Sequence, residues 1–362
     1  MKIALVHDWL TGMRGGEKVL LELVRMLPSA DIHTLLWNRG SVVPEIEARV
    51  RGTSFLGRLP KASSAYRYYL PLFPAAIRSL DLSGYDLVLS SSHAVAKSAR
   101  APKGTMHISY IHTPMRYLWD PGGDYFRFGT GRRWKRAALG VVAPWLRWFD
   151  RRTAAGVHHL VANSEEVRRR IRRIYGAGAA VIYPPVDTGF FTPSEAAPSD
   201  YYLVVSSLEP YKRIDLAVEA FSGGQRRLVV AGKGTLEAEL RSRAGRPVEF
   251  LGEVSDARLR DLYRGCRALI FPCREDFGMV PVEAQACGRP VVCFAAGGAL
   301  ETVIDGCTGI HFAPQTPQAL MAAVERLEAM EWSGEEIRRN SLRFAREEFR
   351  AKMKAFLDEH CG

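Results

Sequence analysis

Apolar residues fall along this chain in two rhythms: short unbroken runs bounded by turn residues, and longer stretches in which they recur every third or fourth position. An unbroken run suits a strand buried on both faces, whereas recurrence near 3.6 suits a helix with one buried stripe. Runs of the first kind are Ile3 to Val6, Ile32 to Leu36, Leu87 to Ser90, Ile108 to Ile111 and Leu160 to Ala162, then Tyr202 to Val205, Leu228 to Ala231, Ala268 to Phe271 and Pro290 to Phe294. Helical spacing joins Val19, Leu20, Leu23, Val24 and Leu27, and continues in Glu165 to Ile174, Ile214 to Phe221 and stretches through Phe344 and Phe356. Ser164 stands where an N-cap belongs. Strands alternating with helices predict α/β architecture, with parallel sheets covered on both faces. A chain of 362 residues suggests two such domains. The proline-rich stretch from Pro184 to Pro198 reads as their linker, giving domains at 1–184 and 185–340.

One stretch concentrates the candidate chemistry: Phe271 to Phe294, FPCREDFGMVPVEAQACGRPVVCF, which reads as strand, acidic Pro/Gly loop, short helix and strand. In open parallel sheets ligands sit where strands end and helices begin, because the unpaired N–H groups of a first helical turn collect an anion. Glu275 falls in the loop and Glu283 inside the helix. Gly278 lets a backbone approach a ligand, and Pro281 costs little in a first turn. The spacing therefore suits a phosphate on the N–H groups near Gly278, Met279 and Val280, with a carboxylate on each side for hydroxyls. It equally suits two glutamates that only favour the positive end of a helix dipole. Near the start, His7-Asp8-Trp9 and Arg14-Gly15-Gly16-Glu17 lie between the first strand and first helix. The glycine pair can bring N–H groups to a diphosphate or acceptor, or form a tight turn; G-x-G-x-x-G is missing. His112 is expected just past the carboxyl end of a strand, although a lone histidine is more often a surface or satisfied core residue.

Glu-x7-Glu followed by Ala-x-Ala-Cys-Gly-x-Pro-Val-Val resembles the nucleotide-sugar signature of the family 4 retaining glycosyltransferases. The resemblance is specific across Tyr202 to Gly309 and looser in the first half. It implies the GT-B fold, two doubly wound Rossmann-like domains facing each other across a cleft, with the last segment, 341–362, crossing back to the first domain. It implies that Gly15 and Gly16 lie at the donor–acceptor junction. By the same resemblance Glu275 holds the donor sugar's hydroxyls, Glu283 the ribose, and Gly278, Met279 and Val280 the diphosphate. His112 matches the family's histidine on the donor sugar. His-Thr-Pro-x-Arg-Tyr is similar to enzymes building bacterial surface polysaccharides, which implies mannose from GDP-mannose. The family brings an arginine and then a lysine to the diphosphate; Lys212 matches the lysine, but Ser207 stands at the arginine's place. Arg213 then supplies the second charge or is simply solvent-facing, with Lys233 a weaker candidate. The segment through Val254 resembles the one against which the nucleobase packs. Glu275, His112 and Lys212 are thus the implied catalytic residues. Attack is expected from the face of the departing phosphate, which helps to deprotonate the acceptor, with no metal or cofactor beyond the nucleotide-sugar donor. The absence of Asp-x-Asp from the sequence agrees with that.

Charge adds a partner. A formal net charge of +11 calls for something anionic. Nucleic acid is not expected, since no zinc-finger, RNP or KH pattern is present. Tyr66 to Leu80 and Arg132 to Arg152 interleave aromatic and aliphatic residues with arginine and lysine. They read either as core helices with solvated basic faces or as a surface resting on anionic lipid. An enzyme extending a lipid-linked glycan would use the latter. With no signal-like opening and no apolar run of membrane-spanning length, the expectation is a cytoplasmic protein peripherally associated with the inner face of the cell membrane. All six cysteines lie in the last hundred residues without a C-x-x-C pair and read as reduced, mostly buried small apolar residues. Two other functions fit parts of the pattern: a nucleotide-sugar epimerase of GT-B shape, or a nucleic-acid-binding protein using the basic charge.

Overall fold

The computed structural model describes residues 1–119, 132–195 and 197–361, leaving aside the side chains of 64 and 132–139. The chain forms two compact units, whose described residues are 1–119, 132–185 and 349–361 in the first and 186–195 and 197–348 in the second.

In the first unit, β1 (Ile3–His7), β2 (Asp31–Thr34), β3 (Val50–Thr53), β4 (Leu87–Ser92), β5 (Met106–Ile111), β6 (His159–Ala162) and β7 (Ala180–Val181) form a parallel sheet of order β3-β2-β1-β4-β5-β6-β7. Leu5 pairs with Ile32 on one side and Leu89 on the other. Alternate residues of β1 leave for opposite faces. Ile3 and Leu5 join a core with Leu20 and Leu23 of the helix Gly15–Met26, while Ala4 and Val6 join one with Phe73 and Ile77. Burial on both faces is why β1 reads as an unbroken apolar run. The edge strands β3 and β7 escape a periodicity search: β3 reads Val-Arg-Gly-Thr and is only half covered, and β7 has two residues.

The second unit repeats the design with β8 (Tyr202–Val205), β9 (Leu228–Ala231), β10 (Val248–Gly252), β11 (Leu269–Phe271), β12 (Val291–Phe294) and β13 (Gly309–Phe312), all parallel, in the order β10-β9-β8-β11-β12-β13. The passage between units falls at Pro185–Val186. The residues after it, expected as linker, are packed into the second unit. Val186 N–H bonds to the Phe344 carbonyl at 2.9 Å, Asp187 pairs with Arg346 at 2.7 Å, and Phe191 is buried edge-on against Tyr263. Two adjacent phenylalanines within the proline-rich stretch had an apolar surface to bury, which outweighs its turn-like composition. From Phe349 onward the helix Arg346–Cys361 belongs to the first unit: Phe349, Met353 and Leu357, four apart, enter the core that contains Leu5 and Tyr110. Arg350 Nε donates to the buried Glu22 carboxylate at 2.8 Å. All six cysteines are free; Cys266, Cys273, Cys287 and Cys293 are buried, and Cys307 is exposed.

The two aromatic and basic segments have one face each in the core. Tyr66, Phe73 and Ile77 are buried while Tyr68 is exposed. In the helix Arg132–Ala154, Ala143, Leu146 and Phe149 face inward, and Val141, Trp145 and Trp148 outward, the last 61% exposed. The side chains of Arg132, Arg133, Lys135 and Arg136 lie outside the described residues. This helix is fixed by a buried ion pair, Lys97 Nζ to Asp150 Oδ1 at 2.7 Å. Trp119 Nε1 and the Tyr175 hydroxyl donate to Asp150 Oδ2 at 2.7 and 2.9 Å. Asp150→Ala would strand a buried ammonium and two donors, so a loss of about 3–5 kcal/mol is expected in urea unfolding. A loss below about 1 kcal/mol would show that the network does not hold the helix.

Candidate active site

In a doubly wound sheet the loops diverge where the strand order reverses, which is between β8 and β11 in the second unit and between β1 and β4 in the first. Most of the sequence's candidate residues lie at these two places, while Lys233 follows β9 and Val254 follows β10.

In the second unit, β8 runs through Ser206 and Ser207 to the turn Pro210–Lys212, and β11 runs into the loop of Cys273 and Glu275. Lys212 Nζ forms an ion pair with Glu275 Oε1, both side chains being largely covered. The Cys273 thiol lies 3.7 Å from the same oxygen. Strand and loop are backed by Gly298 N–H, which donates to the Glu275 carbonyl at 2.8 Å. The loop ends at Gly278, whose φ of 88° is in the left-handed region and favours glycine, and the helix Met279–Ala286 starts there. A cation, a carboxylate and a helix start bearing no capping side chain thus lie on neighbouring loops. A ligand offering a phosphate to Lys212 and hydroxyls to Glu275 would satisfy both after separating them.

Other candidates are placed differently. Arg213 also has left-handed backbone, at φ 54°, and its guanidinium is engaged by Asp215 at 3.3 Å and by Gln315 Oε1 at 2.9 Å. Gln315 in turn donates to the Pro272 carbonyl at 2.7 Å, so Arg213 braces the start of the helix Ile214–Ser222 to the end of β11. Lys233 is exposed and 3.5 Å from Glu253. Ser207 is exposed on the loop after β8, and Val254, half-buried, follows β10. Glu283 is buried and accepts the Tyr263 hydroxyl at 2.9 Å. Burial, and then this carboxylate, push the Tyr263 hydroxyl well above its ordinary pKa. Gln285 and Asn340, which sequence reasoning did not single out, fasten the same helix: Gln285 Nε2 donates to the Thr302 carbonyl at 2.9 Å, and Asn340 Nδ2 to Gln285 Oε1 at 2.7 Å.

In the first unit, His112 follows β5 and its Nε2 lies 2.8 Å from Ser91 Oγ near the end of β4. Ser91 Oγ is also 3.1 Å from Nδ1 of His7, the last residue of β1. Asp8 accepts four backbone N–H groups, from His93, Ala94, Val95 and Ala96, at 2.7–2.9 Å. His93 Nδ1 is 3.4 Å from Asp8 Oδ2, and burial lowers this histidine's pKa. The His-Thr-Pro segment is pinned by buried Arg170, which donates to Thr113 Oγ1 at 3.0 Å. Gly15 and Gly16 open the helix Gly15–Met26, and Gly16 faces the imidazoles of His7 and His112. His7, Asp8, Ser91 and His93 received no role from sequence; the signal was polar residues closing apolar strands at β1 and β4. Among the described residues no group of three or more His, Cys, Asp or Glu side chains is arranged to hold a metal ion.

Two family models match this chain: Glycosyltransferase Family 4 over residues 13–190 and Glycosyl transferases group 1 over residues 190–347. Among curated relatives, a D-inositol 3-phosphate glycosyltransferase of Thermomonospora curvata is 29% identical over 236 residues, covering 54% of this chain and 55% of that protein. One of Kribbella flavida is 33% identical over 184 residues, covering 42% and 43%. The chain spans about half the length of the curated relatives it matches. Among solved structures, Anabaena Alr3699/HepE in complex with UDP is similar with a TM-score of 0.72 at 18% identity, covering 99% of this chain and 100% of that one. Sucrose-phosphate synthase (tll1590) from Thermosynechococcus elongatus reaches 0.76 at 17%, covering 99% of each. Likeness at such identities speaks for the fold, which is GT-B.

At Gly278 a Cβ would meet Phe271 Cζ at 3.3 Å as well as the left-handed backbone. Gly278→Ala is expected to cost about 1–2 kcal/mol, seen as a lower melting temperature. An unchanged melting temperature would mean that the helix start adapts without strain.

Proposed function

The chain belongs to the family 4, group 1 glycosyltransferases, its first half matched by one model and its second by the other, and on that premise we propose that it moves a hexose from a nucleotide sugar to a glycan or lipid-linked acceptor with retention of configuration. The observation that carries this reading is the Lys212–Glu275 pair beside the helix start at Gly278. As a diphosphate leaves an oxocarbenium-like sugar, negative charge grows on it, and a preorganised cation with N–H dipoles aimed there lowers the barrier. Lys212 and the N–H groups of Gly278, Met279 and Val280 have that role. Glu275, released from Lys212, accepts sugar hydroxyls, and His112 takes a sugar hydroxyl in the first unit. Glu283 acts on the ribose through the position of its helix, and Val254 lies toward the base. Arg213 contributes by bracing the loop, so Lys212 carries most of the diphosphate's charge. The departing phosphate receives the acceptor's proton, and the chemistry asks for no metal.

The donor we favour is GDP-mannose, supported by the His-Thr-Pro-Met-Arg-Tyr segment at His112. A second reading of the acceptor, a small phosphorylated polyol, is favoured by the curated relatives' names and by the +11 charge. Outward-facing Val141, Trp145 and Trp148, with exposed Arg152 on the same helix, support a protein resting on anionic lipid at the cytoplasmic face of a membrane. No described helix is long and apolar enough to cross a membrane.

A panel of nucleotide sugars should raise the melting temperature, GDP-mannose most, and NMR of the product should show the donor's anomeric configuration kept. Lys212→Ala should lower turnover about 10²-fold. Inversion, or a folded Lys212→Ala of normal turnover, would refute the mechanism, and a changed sugar formed from donor alone would point to an epimerase.

Anionic vesicles should co-sediment with the protein at low salt and release it as salt rises, since each basic residue near the surface contributes about 1 kcal/mol. Trp145→Ser with Trp148→Ser should weaken the attachment. Binding indifferent to lipid charge and to both tryptophans would leave a soluble acceptor as the better reading.

A further inference from the structure

Four side chains of the first unit stand in line at the ends of β1 and β4: Glu17, His7, Ser91 and His112. Glu17 Oε1 lies 3.8 Å from His7 Nε2, His7 Nδ1 lies 3.1 Å from Ser91 Oγ, and Ser91 Oγ lies 2.8 Å from His112 Nε2. His7, Ser91 and Glu17 are buried. Gly16 rests on the line: a Cβ there would stand 3.5 Å from His7 Cε1 and 3.8 Å from His112 Nε2.

The protons of such a line are not independent. Glu17 Oε2 accepts the Arg14 N–H at 3.1 Å, which leaves Oε1 facing His7. Burial pushes the Glu17 carboxyl up, but contact with His7, the charge of nearby histidines and the backbone N–H outweigh it and hold the pKa below its ordinary value. His7 Nε2 is buried and makes no hydrogen bond. A lone pair there would be repelled by the carboxylate and a proton attracted, so neutral His7 carries its proton on Nε2 and presents a lone pair at Nδ1. Ser91 has one hydrogen, which must then go to His7 Nδ1. Toward His112 its oxygen can only accept. His112 Nε2 must therefore be the protonated nitrogen, and the lone pair of neutral His112 is on Nδ1.

We propose that Glu17 is a positioning residue that, acting through His7 and Ser91, holds His112 in the tautomer whose Nδ1 accepts a hydrogen bond, so that His112 selects a sugar hydroxyl over a carbonyl or ring oxygen. The selection of a hydroxyl rests on the glycosyltransferase reading; the tautomer rests on the geometry of the line alone. Glu17→Gln makes the proposal sharp. The amide carbonyl stays on the Arg14 N–H, so the NH2 group turns to His7 Nε2, which becomes an acceptor. His7 then carries its proton on Nδ1 and donates it to Ser91, Ser91 donates to His112 Nε2, and His112 is left with Nδ1–H. One buried substitution reverses two hydrogen bonds and the polarity of the Glu17–His7 contact.

The test is NMR of the full-length protein with 15N-labelled histidine, at about pH 8, where unperturbed imidazole is neutral. In the unaltered protein His7 and His112 are expected as Nε2–H tautomers, and in Glu17→Gln both as Nδ1–H. In Glu17→Gln combined with Ser91→Ala, His7 should still reverse while His112 no longer follows it. Turnover of Glu17→Gln should fall about tenfold, the loss of one well-placed hydrogen bond in the transition state, with donor-induced stabilisation retained. His112 found as Nδ1–H in the unaltered protein, or unmoved in Glu17→Gln while His7 reverses, would overturn the proposal, as would reversal without a change in turnover. Should Glu17→Gln not fold, Ser91→Ala alone decides: His7 stays Nε2–H and His112 loses its single tautomer, whereas a His112 that stays purely Nε2–H overturns the coupling. If no nucleotide sugar binds any variant, the functional reading fails while the tautomers still report on the line.

Discussion

A parallel sheet covered on both faces accepts almost nothing polar along its strands, and this constraint orders both halves of the molecule. Leu5 on β1 and Leu203 on β8 are wholly buried within apolar cores. The few polar side chains within strands satisfy one another, as Ser90 does with His107 and Ser109; the others gather where a strand ends, and each unit uses those ends alike. His7 and Ser91 close β1 and β4, and the loop of Glu275 follows β11. The reversal of strand order parts the flanking loops there, which leaves the polar groups a place to meet.

The same constraint explains what could be read from sequence. Strands buried on both sides announce themselves as apolar runs, and β1, β4, β5, β8, β9, β11 and β12 all do so. β3, with Arg51 and Gly52 at a sheet edge, has only one neighbour and no such signature. The segment around Phe191 was hidden for the opposite reason: turn-forming prolines surround an apolar pair that packs well.

Candidate chemistry was legible by segment and not by partnership. Lys212 and Glu275 stand 63 positions apart, and their pairing depends on β8 and β11 being neighbours. Arg213 shows the limit of spacing arguments, for adjacency to Lys212 says nothing of a guanidinium that Asp215 and Gln315 engage. The Glu17 line was less visible still. Its members come from a helix, two strands and a loop, and of the four only His112 had a role legible in the sequence.

The turn after β4 has the form of an anion nest. Four consecutive N–H groups, from His93 to Ala96, converge on a point, and such a concavity would hold a phosphate oxygen as readily as a carboxylate. Here Asp8 fills it, two oxygens against four donors. The first unit's anion nest is thus stoppered by the chain itself. In the second unit the N-cap of the helix Met279–Ala286 is Gly278, and no side chain caps it. Two copies of one architecture thus end differently at their switch points: one seats a carboxylate of its own chain, and the other begins its helix at a glycine.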